Sequence, residues 1–195
     1  MLAYLLWHRP AESIERETYE RACEHFHRSL HHTPPAGFRG SAVYRVGELP
    51  WLAGGGYEDW YFVEDFTALG VLNEAAVAHG HRSAHDDVAR RFGAGAGGLY
   101  GLLEGHPDLS IAAHAVWVAR PPGAARQALG ELLGDGMDPR HASLWRRGLV
   151  FGPAPEYCLL TSRLISDRSP AGTAPTRLPE GWRATVCERE TIWHG

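Results

Sequence analysis

Residues 4–13 (YLLWHRPAES) and residues 114–123 (HAVWVARPPG) are two similar stretches, and they decide the predicted fold. Each is a short apolar run that carries a tryptophan, is closed by Arg-Pro and leads into a segment of helical character. An internal repeat determines the architecture of a whole chain, so it is the first pattern to test. The two stretches predict a chain built from two similar halves.

The first half begins as strand, helix, strand, strand. The apolar run 2–9 is compatible with a strand, and residues 38–46 and 57–65 are rich in strand-forming residues. Between the first two strands, apolar residues recur at helical spacing and predict an amphipathic helix. The members of this stripe are Tyr19, Ala22, Cys23, Phe26 and Leu30.

The first half ends as helix, then strand. Asp65 is placed to cap a helix that runs to Val77, and residues 97–105 predict the closing strand. The segment GAGAGG at 93–98 matches the spacing of a dinucleotide-binding loop. It follows a predicted helix, however, whereas that loop must follow a strand and open a helix. We therefore interpret it as a flexible loop and reject a nucleotide site.

The second half follows the same plan in a degenerate form. Its predicted elements are a strand at 111–121, a helix at 124–134 and strands at 141–152, 155–162 and 182–193. The second helix is replaced by a Ser/Pro/Gly-rich excursion at 166–181, whose role the sequence leaves open. When the Arg-Pro pairs are aligned, Trp7 and Trp117 are one residue out of step, so without a bulge they face opposite sides of their strands.

The predicted fold is α+β, with two tandem ferredoxin-like βαββαβ halves. The first half covers residues 1–108 and the second covers 109–195. One such unit leaves a sheet face uncovered, whereas two can pair their open faces. The chain is therefore expected to form a single-chain barrel of the dimeric α/β-barrel type as one compact unit.

Three segments of the chain resemble the EthD-like branch of the dimeric α/β-barrel superfamily: LLWHRP, YERACEHFH and GFRGSAVYRV. The resemblance implies a barrel interior that holds a small organic molecule or, in some relatives, haem. Members of the superfamily range from cofactor-free monooxygenases and cyclases to proteins of no known activity. By position, the histidine at the family's helix end corresponds to His27, and the pattern that follows is altered here to FHRSLHHTPP.

Composition excludes several classes of function. The chain has 195 residues, 44% of them hydrophobic, and a net charge of −4. No lysine and arginine cluster is present to bind a nucleic-acid backbone. No run approaches the about 20 apolar residues of a membrane span. Three widely spaced cysteines fit neither a disulfide framework nor a zinc site. We expect a cytoplasmic protein with reduced thiols.

The chain has twelve histidines, and some have the spacing of metal ligands. His81 and His85 are four residues apart, which places two imidazoles on one helical face, and His27 and His31 repeat that spacing. No carboxylate completes a familiar ligand set, and such pairs are expected by chance among so many histidines. No cofactor is predicted. Haem or a divalent metal is kept as an alternative, with His81 and His85 as weak metal candidates.

The first strand has two faces, and one of them should line the interior. His8 shares a face with Tyr4, whereas Trp7 lies on the opposite face with Leu5. If the His8 face is inside, Tyr4, His8 and His27 place a general base in an aromatic pocket. If it is outside, His8 is a structural residue at the edge of the core.

The stretch YEDWYFVED at 57–65 has aromatic residues on both faces, so we expect that strand to be buried on both. Glu58 or Asp59 would then pair with Arg45 on the neighbouring strand. A structural ion pair is the favoured role, and a carboxylate acting on a ligand is the alternative.

These patterns support two main hypotheses. The first is a barrel that binds, and as an enzyme would act on, a small hydrophobic or aromatic molecule, like a cofactor-independent monooxygenase or cyclase. Its candidate residues are catalytic His27 and His8, with Tyr4, Tyr44, Trp60 and Arg45 binding the ligand. The second is a non-catalytic barrel with a packed interior that acts through assembly as a homo-oligomer. A haem or metal protein is a third hypothesis.

Overall fold

The computed structural model describes residues 1–78, 80–107, 114–124, 142–148, 152, 154–162 and 180–195. The strands in these residues are β1 (Leu2–Pro10), β2 (Phe38–Val46), β3 (Gly56–Val63), β4 (Phe92–Gly105), β5 (His114–Ala119), β6 (Ala142–Arg147), β7 (Tyr157–Thr161) and β8 (Arg183–His194). The helices are α1 (Arg16–His32), α2 (Phe66–Val77) and α3 (Arg82–Ala89). None of these helices is long and apolar enough to span a membrane.

The strands form a closed antiparallel barrel in the order β1-β3-β2-β8-β5-β7-β6-β4, with β4 returning to β1. The first half contributes β4-β1-β3-β2, and the second contributes β8-β5-β7-β6. In each half, the strands that come fourth, first, third and second along the chain lie side by side in that order. The halves meet where β2 pairs with β8 and β4 pairs with β6. The α+β barrel is confirmed, whereas duplication of the halves remains a prediction.

Some of the second-half predictions fall on parts of the chain that the structure does not describe. The predicted boundary between residues 108 and 109 lies within one such stretch. The same holds for nearly all of the predicted helix at 124–134 and of the excursion at 166–181.

The local signals in the first half correspond to the observed helices. The predicted apolar stripe of α1 is buried, and His27 is buried beside it. Asp65 caps α2, because its side chain accepts a hydrogen bond from the Ala68 backbone N–H at 2.9 Å. Such a cap stabilises a helix by about 1 kcal/mol. These predictions are confirmed.

The loop predicted for GAGAGG at 93–98 is wrong, because this segment is the first part of β4. It pairs with β1 along its length, with His8 opposite Gly95 and Leu6 opposite Gly97. A Cβ at Gly95 would lie 2.7 Å from the Trp7 carbonyl oxygen and 2.8 Å from the Phe92 ring, and one at Gly98 would lie 2.9 Å from the Tyr100 ring. These glycines therefore leave room for the backbone of β1 and for neighbouring rings.

Aromatic side chains fill the described interior of the barrel. Its largest members are Trp7, Tyr44, Trp60, Phe62, Tyr100, Trp117 and Trp145, all buried. Several of their rings meet edge to face, as Trp7 and Trp117 do with centroids 5.2 Å apart. Trp7 and Trp117 thus both point inward, and the pairing of β1 with β4 has an irregularity between Arg9 and Pro10. This irregularity comes after Trp7 and places the extra residue, Gly93, on β4, so it does not account for the offset of one residue relative to the Arg-Pro pairs.

One ion pair crosses this aromatic interior. Arg189 of β8 donates to the Glu58 carboxylate of β3 at 2.9 Å, and both side chains have no exposed surface. The indole N–H groups of Trp7 and Trp60 also donate to Glu58, at 2.9 and 2.7 Å. The Arg189 guanidinium lies 3.9 Å from the centre of the Tyr44 ring. The pair thereby ties the first half of the chain to the second.

The predicted pairing of Arg45 with Glu58 or Asp59 is wrong. Arg45 lies on the outer face of β2, where it donates to Glu20 of α1 at 2.6 Å and contacts Glu190 of β8. Glu58 points to the other face of the sheet. Asp59 shares the outer face but is enclosed by other partners. The prediction that β3 is buried on both faces is confirmed.

Replacing Arg189 by methionine should destabilise the barrel by about 3–5 kcal/mol, because the Glu58 carboxylate is left buried without its counter-ion. The matched control is Arg45→Met, whose partly exposed ion pairs are worth at most about 1 kcal/mol each. Urea denaturation followed by tryptophan fluorescence measures both free energies of unfolding. Equal losses in the two variants would contradict a special role for the interior pair.

Candidate functional site

The two faces of β1 have different environments. Trp7 and Leu5 belong to the barrel interior. His8 lies outside, against Tyr19 of α1 and Tyr57 of β3. Tyr4, on the same face as His8, packs against the Tyr61 ring. The histidine face therefore lies between the sheet and the helices rather than inside the barrel.

A buried carboxylate organises the polar groups on this outer face. Asp59 Oδ1 lies 2.9 Å from His8 Nε2, and Asp59 Oδ2 lies 3.4 Å from His27 Nε2. The Tyr61 hydroxyl donates to Asp59 Oδ2 at 2.9 Å and lies 3.2 Å from His27 Nε2. All four side chains are buried. The two histidines proposed as catalytic thus meet at one carboxylate.

Hydroxyl groups hold the far side of each imidazole. His8 Nδ1 lies 2.7 Å from the Tyr19 hydroxyl, and His27 Nδ1 lies 2.8 Å from Ser41 Oγ. Tyr19 and His27 are on the buried face of α1, and Ser41 is on the outer face of β2. When His27 Nδ1 donates to Ser41, its Nε2 is left as an acceptor toward Tyr61. The helix and two strands therefore fix the orientation of the His27 ring.

Burial and charge act in opposite directions on Asp59. Burial alone would raise the pKa of its carboxyl group, but attraction to His8 and His27 when these rings are protonated, together with their hydrogen bonds, holds that pKa well below its usual range. The pKa of Tyr61 is raised well above its ordinary value, first by burial and then by the Asp59 charge. The site thus combines an ionised carboxylate with a phenol that keeps its proton.

The Tyr61 ring connects this network to a groove of about 620 Å³ on the outside of the barrel. Tyr4 and Leu6 of β1 and Phe26 of α1 form the groove together with Tyr61, and one side of α2 faces them. The walls are mainly apolar, and a few polar groups converge on them, as in most small-molecule sites. Tyr61, which lines the groove, is also the side chain that contacts Asp59 and His27.

The other predicted ligand-binding residues lie elsewhere. Tyr44 and Trp60 point into the barrel interior, where they surround the ion pair of Arg189. Arg45 lines another cavity, of about 500 Å³, beside Glu188 and Glu190. The predicted site residues are therefore divided between the interior, the outer groove and this cavity.

The weak metal candidates have other neighbours. His81 Nδ1 lies 3.1 Å from Ser29 Oγ, and His85 Nδ1 lies 3.3 Å from Asp86. Within the part of the chain that the structure describes, no group of three His, Cys, Asp or Glu side chains could hold a metal ion. The ring nitrogens of His8 and His27 face protein groups.

Tyr61 and Ser41 were missed by the sequence analysis. Tyr61 lies on the same face of β3 as Asp59, because it is two residues further along the strand. Once His8 is assigned to the outer face, the alternation of β3 would have grouped Tyr57, Asp59 and Tyr61 with it. The role of Ser41 depends on its position opposite Tyr61 in the pairing of β2 with β3, which no local pattern reveals.

The Asp59 carboxyl should stay ionised to a lower pH than an ordinary aspartate, whose pKa is about 3.9. Since its pKa is lower in the folded state, Asp59 contributes stability above about pH 4 and loses it as the pH falls through its folded pKa. A carbon NMR titration measures this pKa, with Asp59→Asn identifying the signal. A titration at or above the ordinary value would contradict the ionised network.

Comparison with known proteins supports the fold. A crystal structure of an anthrone oxidase-like protein is similar with a TM-score of 0.53 and 9% identity, covering 98% of this chain and 92% of that chain. A chlorite dismutase-like protein gives a TM-score of 0.47 and 12% identity, covering 84% and 80% of the two chains. No family model and no curated protein sequence matches. The first similarity, at this identity, establishes the barrel fold.

Proposed function

We propose that this chain binds a small hydrophobic or aromatic molecule in the outer groove and removes a proton from it, as a cofactor-independent monooxygenase- or cyclase-like enzyme. The observation that carries the proposal is the position of Tyr61. Its ring lines the groove, and its hydroxyl contacts both Asp59 and His27. Membership of the EthD-like branch and a cytoplasmic location are parts of this proposal.

Tyr61 would relay the proton to a neutral His27 and end the step protonated. As the ligand's acidic group donates to the Tyr61 oxygen, the Tyr61 O–H turns from Asp59 Oδ2 to His27 Nε2, 3.2 Å away, and releases its proton there. Asp59 then stabilises the imidazolium that forms, and Ser41 holds the ring in place. His8 stabilises the Asp59 carboxylate through its contact with the other carboxylate oxygen, Oδ1. A positioned acid–base group of this kind accelerates a reaction by about 10²–10⁴-fold.

The apolar groove suits a ligand whose conjugate base is delocalised over aromatic rings. Anthrone is a suitable test compound, because a solved protein of the same fold is described as anthrone oxidase-like. Loss of a proton from its methylene carbon gives an electron-rich anion that molecular oxygen can oxidise. Anthrone and oxygen would yield anthraquinone and water, with oxygen as the oxidant. The protein supplies the binding site and the proton acceptor.

Tyr61→Phe should lower the rate of proton abstraction by about 100-fold, because it removes only the hydroxyl that links the groove to His27. Tyr4→Phe is the matched control, since its ring also lines the groove. The measurement is exchange of the anthrone methylene protons in D2O without oxygen, followed by NMR. Anthraquinone absorbance measures turnover in air.

A second pair of variants tests His27 itself. His27→Ala should lose exchange activity, whereas His25→Ala on the exposed side of α1 should retain it. Thermal unfolding of each variant separates loss of activity from loss of fold. Equal activity in folded Tyr61→Phe and Tyr4→Phe, or a wild-type protein that neither binds nor exchanges any aromatic probe, would falsify the proposed function.

A second candidate function is assembly into a homo-oligomer, and the surface of α2 favours it. Phe66, Val71 and Val77 of this helix are 56%, 38% and 48% exposed. Exposed apolar residues grouped on one element often mark a contact surface. The aromatic packing of the barrel interior agrees with this hypothesis, in which the barrel is a scaffold.

Native mass spectrometry of the purified protein distinguishes these functions. Assembly predicts a discrete oligomer that Val77→Ser dissociates, since Val77 is exposed on α2. A bound aromatic compound predicts an added organic mass that remains in Val77→Ser, because Val77 does not line the groove. An added mass of haem or of a metal ion would instead support the third hypothesis. A monomer without added mass that still exchanges anthrone protons would favour the proposed enzyme.

A further inference from the structure

Gly70 lies within α2, where glycine is unfavourable for helix stability compared with alanine. Its backbone does not have a positive φ, and a Cβ built there would meet nothing within 4 Å. Gly37 shows the contrast, because its φ is +78° and a Cβ there would lie 2.4 Å from the Ala68 Cβ. Among the residues that the structure describes, neither backbone conformation nor packing requires glycine at position 70.

The position of Gly70 indicates that the absence of a side chain leaves space beside the groove. It lies on the side of α2 that faces the groove, one turn after Phe66 and one turn before Asn73. Phe66 is 56% exposed on the same edge of the groove. Asn73 offers an amide donor and acceptor to a ligand. The edge of α2 thus presents an aromatic ring, a bare stretch of backbone and a polar group in succession.

We propose that Gly70 determines how wide a ligand the groove admits. This inference rests on the proposed function and deepens it. A flat apolar ligand extends over the bare backbone at Gly70 and covers the exposed ring of Phe66, while its reactive group meets Tyr61. A polar substituent on its outer edge reaches Asn73. The substrate class is therefore a fused-ring aromatic molecule with an oxygen substituent, rather than a single-ring compound.

The test compares phenol, β-naphthol and hydroxyanthracene as probes, with binding measured by fluorescence or calorimetry. Gly70→Leu should lower the affinity for β-naphthol and hydroxyanthracene by about tenfold or more, because its side chain occupies the space of the second ring. The affinity for phenol should change by less than about twofold. Gly70→Ala should raise the melting temperature, because alanine favours the helix, and should weaken the larger probes by a smaller factor.

Val71→Leu is the matched control, because this residue is on α2 but does not line the groove. It should bind all three probes like the wild type. If Gly70→Leu binds the fused-ring probes as tightly as the wild type, the inference about Gly70 is overturned. The proposed function then still stands if Tyr61→Phe loses proton exchange. If the wild-type protein binds none of the probes, both fail together.

Discussion

The buried ion pair between Glu58 and Arg189 is the interaction on which the closed barrel depends. Removing two charges from water costs several kcal/mol for each ion, and attraction offsets this only when the remaining polar groups are also satisfied. Here two indole N–H groups donate to the carboxylate, and the Tyr44 ring lies against the guanidinium. The residues are 131 positions apart and belong to different halves. A displacement of β8 from β2 would separate the two charges and leave the Glu58 carboxylate with its indole donors but without its counter-ion.

The same strand carries the outer network. Glu58 and Asp59 are adjacent on β3, so strand alternation sends one carboxylate into the barrel and the other under α1. Each carboxylate has its own cationic or hydrogen-bonding partners, and the sheet separates the two sets. Fixing the Glu58 side chain inside therefore fixes the place of Asp59 outside. The closure of the barrel and the geometry of the candidate site depend on one strand register.

Local patterns predicted much of the first half, because helix stripes, caps and alternation are properties of neighbouring residues. The stripe of α1, the cap at Asp65 and the two buried faces of β3 followed from spacing alone. The strand at GAGAGG did not, because its glycines are explained by contacts with the backbone of β1 and with rings on other residues. The choice between the faces of β1 also requires knowledge of which sheet surface the helices cover. The sequence left that choice open, and the partners of Arg45 depend on it.

The candidate site lies outside the barrel because large rings fill the described interior. An apolar side chain in place of Asp59 would pack beneath α1 without needing polar partners, whereas the carboxylate requires two imidazoles and a phenol to be buried there. Burying these polar groups costs more free energy than apolar packing between the helix and the sheet would. They become useful when the phenol also borders a groove, because a proton taken from a ligand then reaches an imidazole through one hydroxyl. The proximity of Tyr61 to both the groove and Asp59 is therefore a stronger argument for chemistry than the number of histidines in the chain.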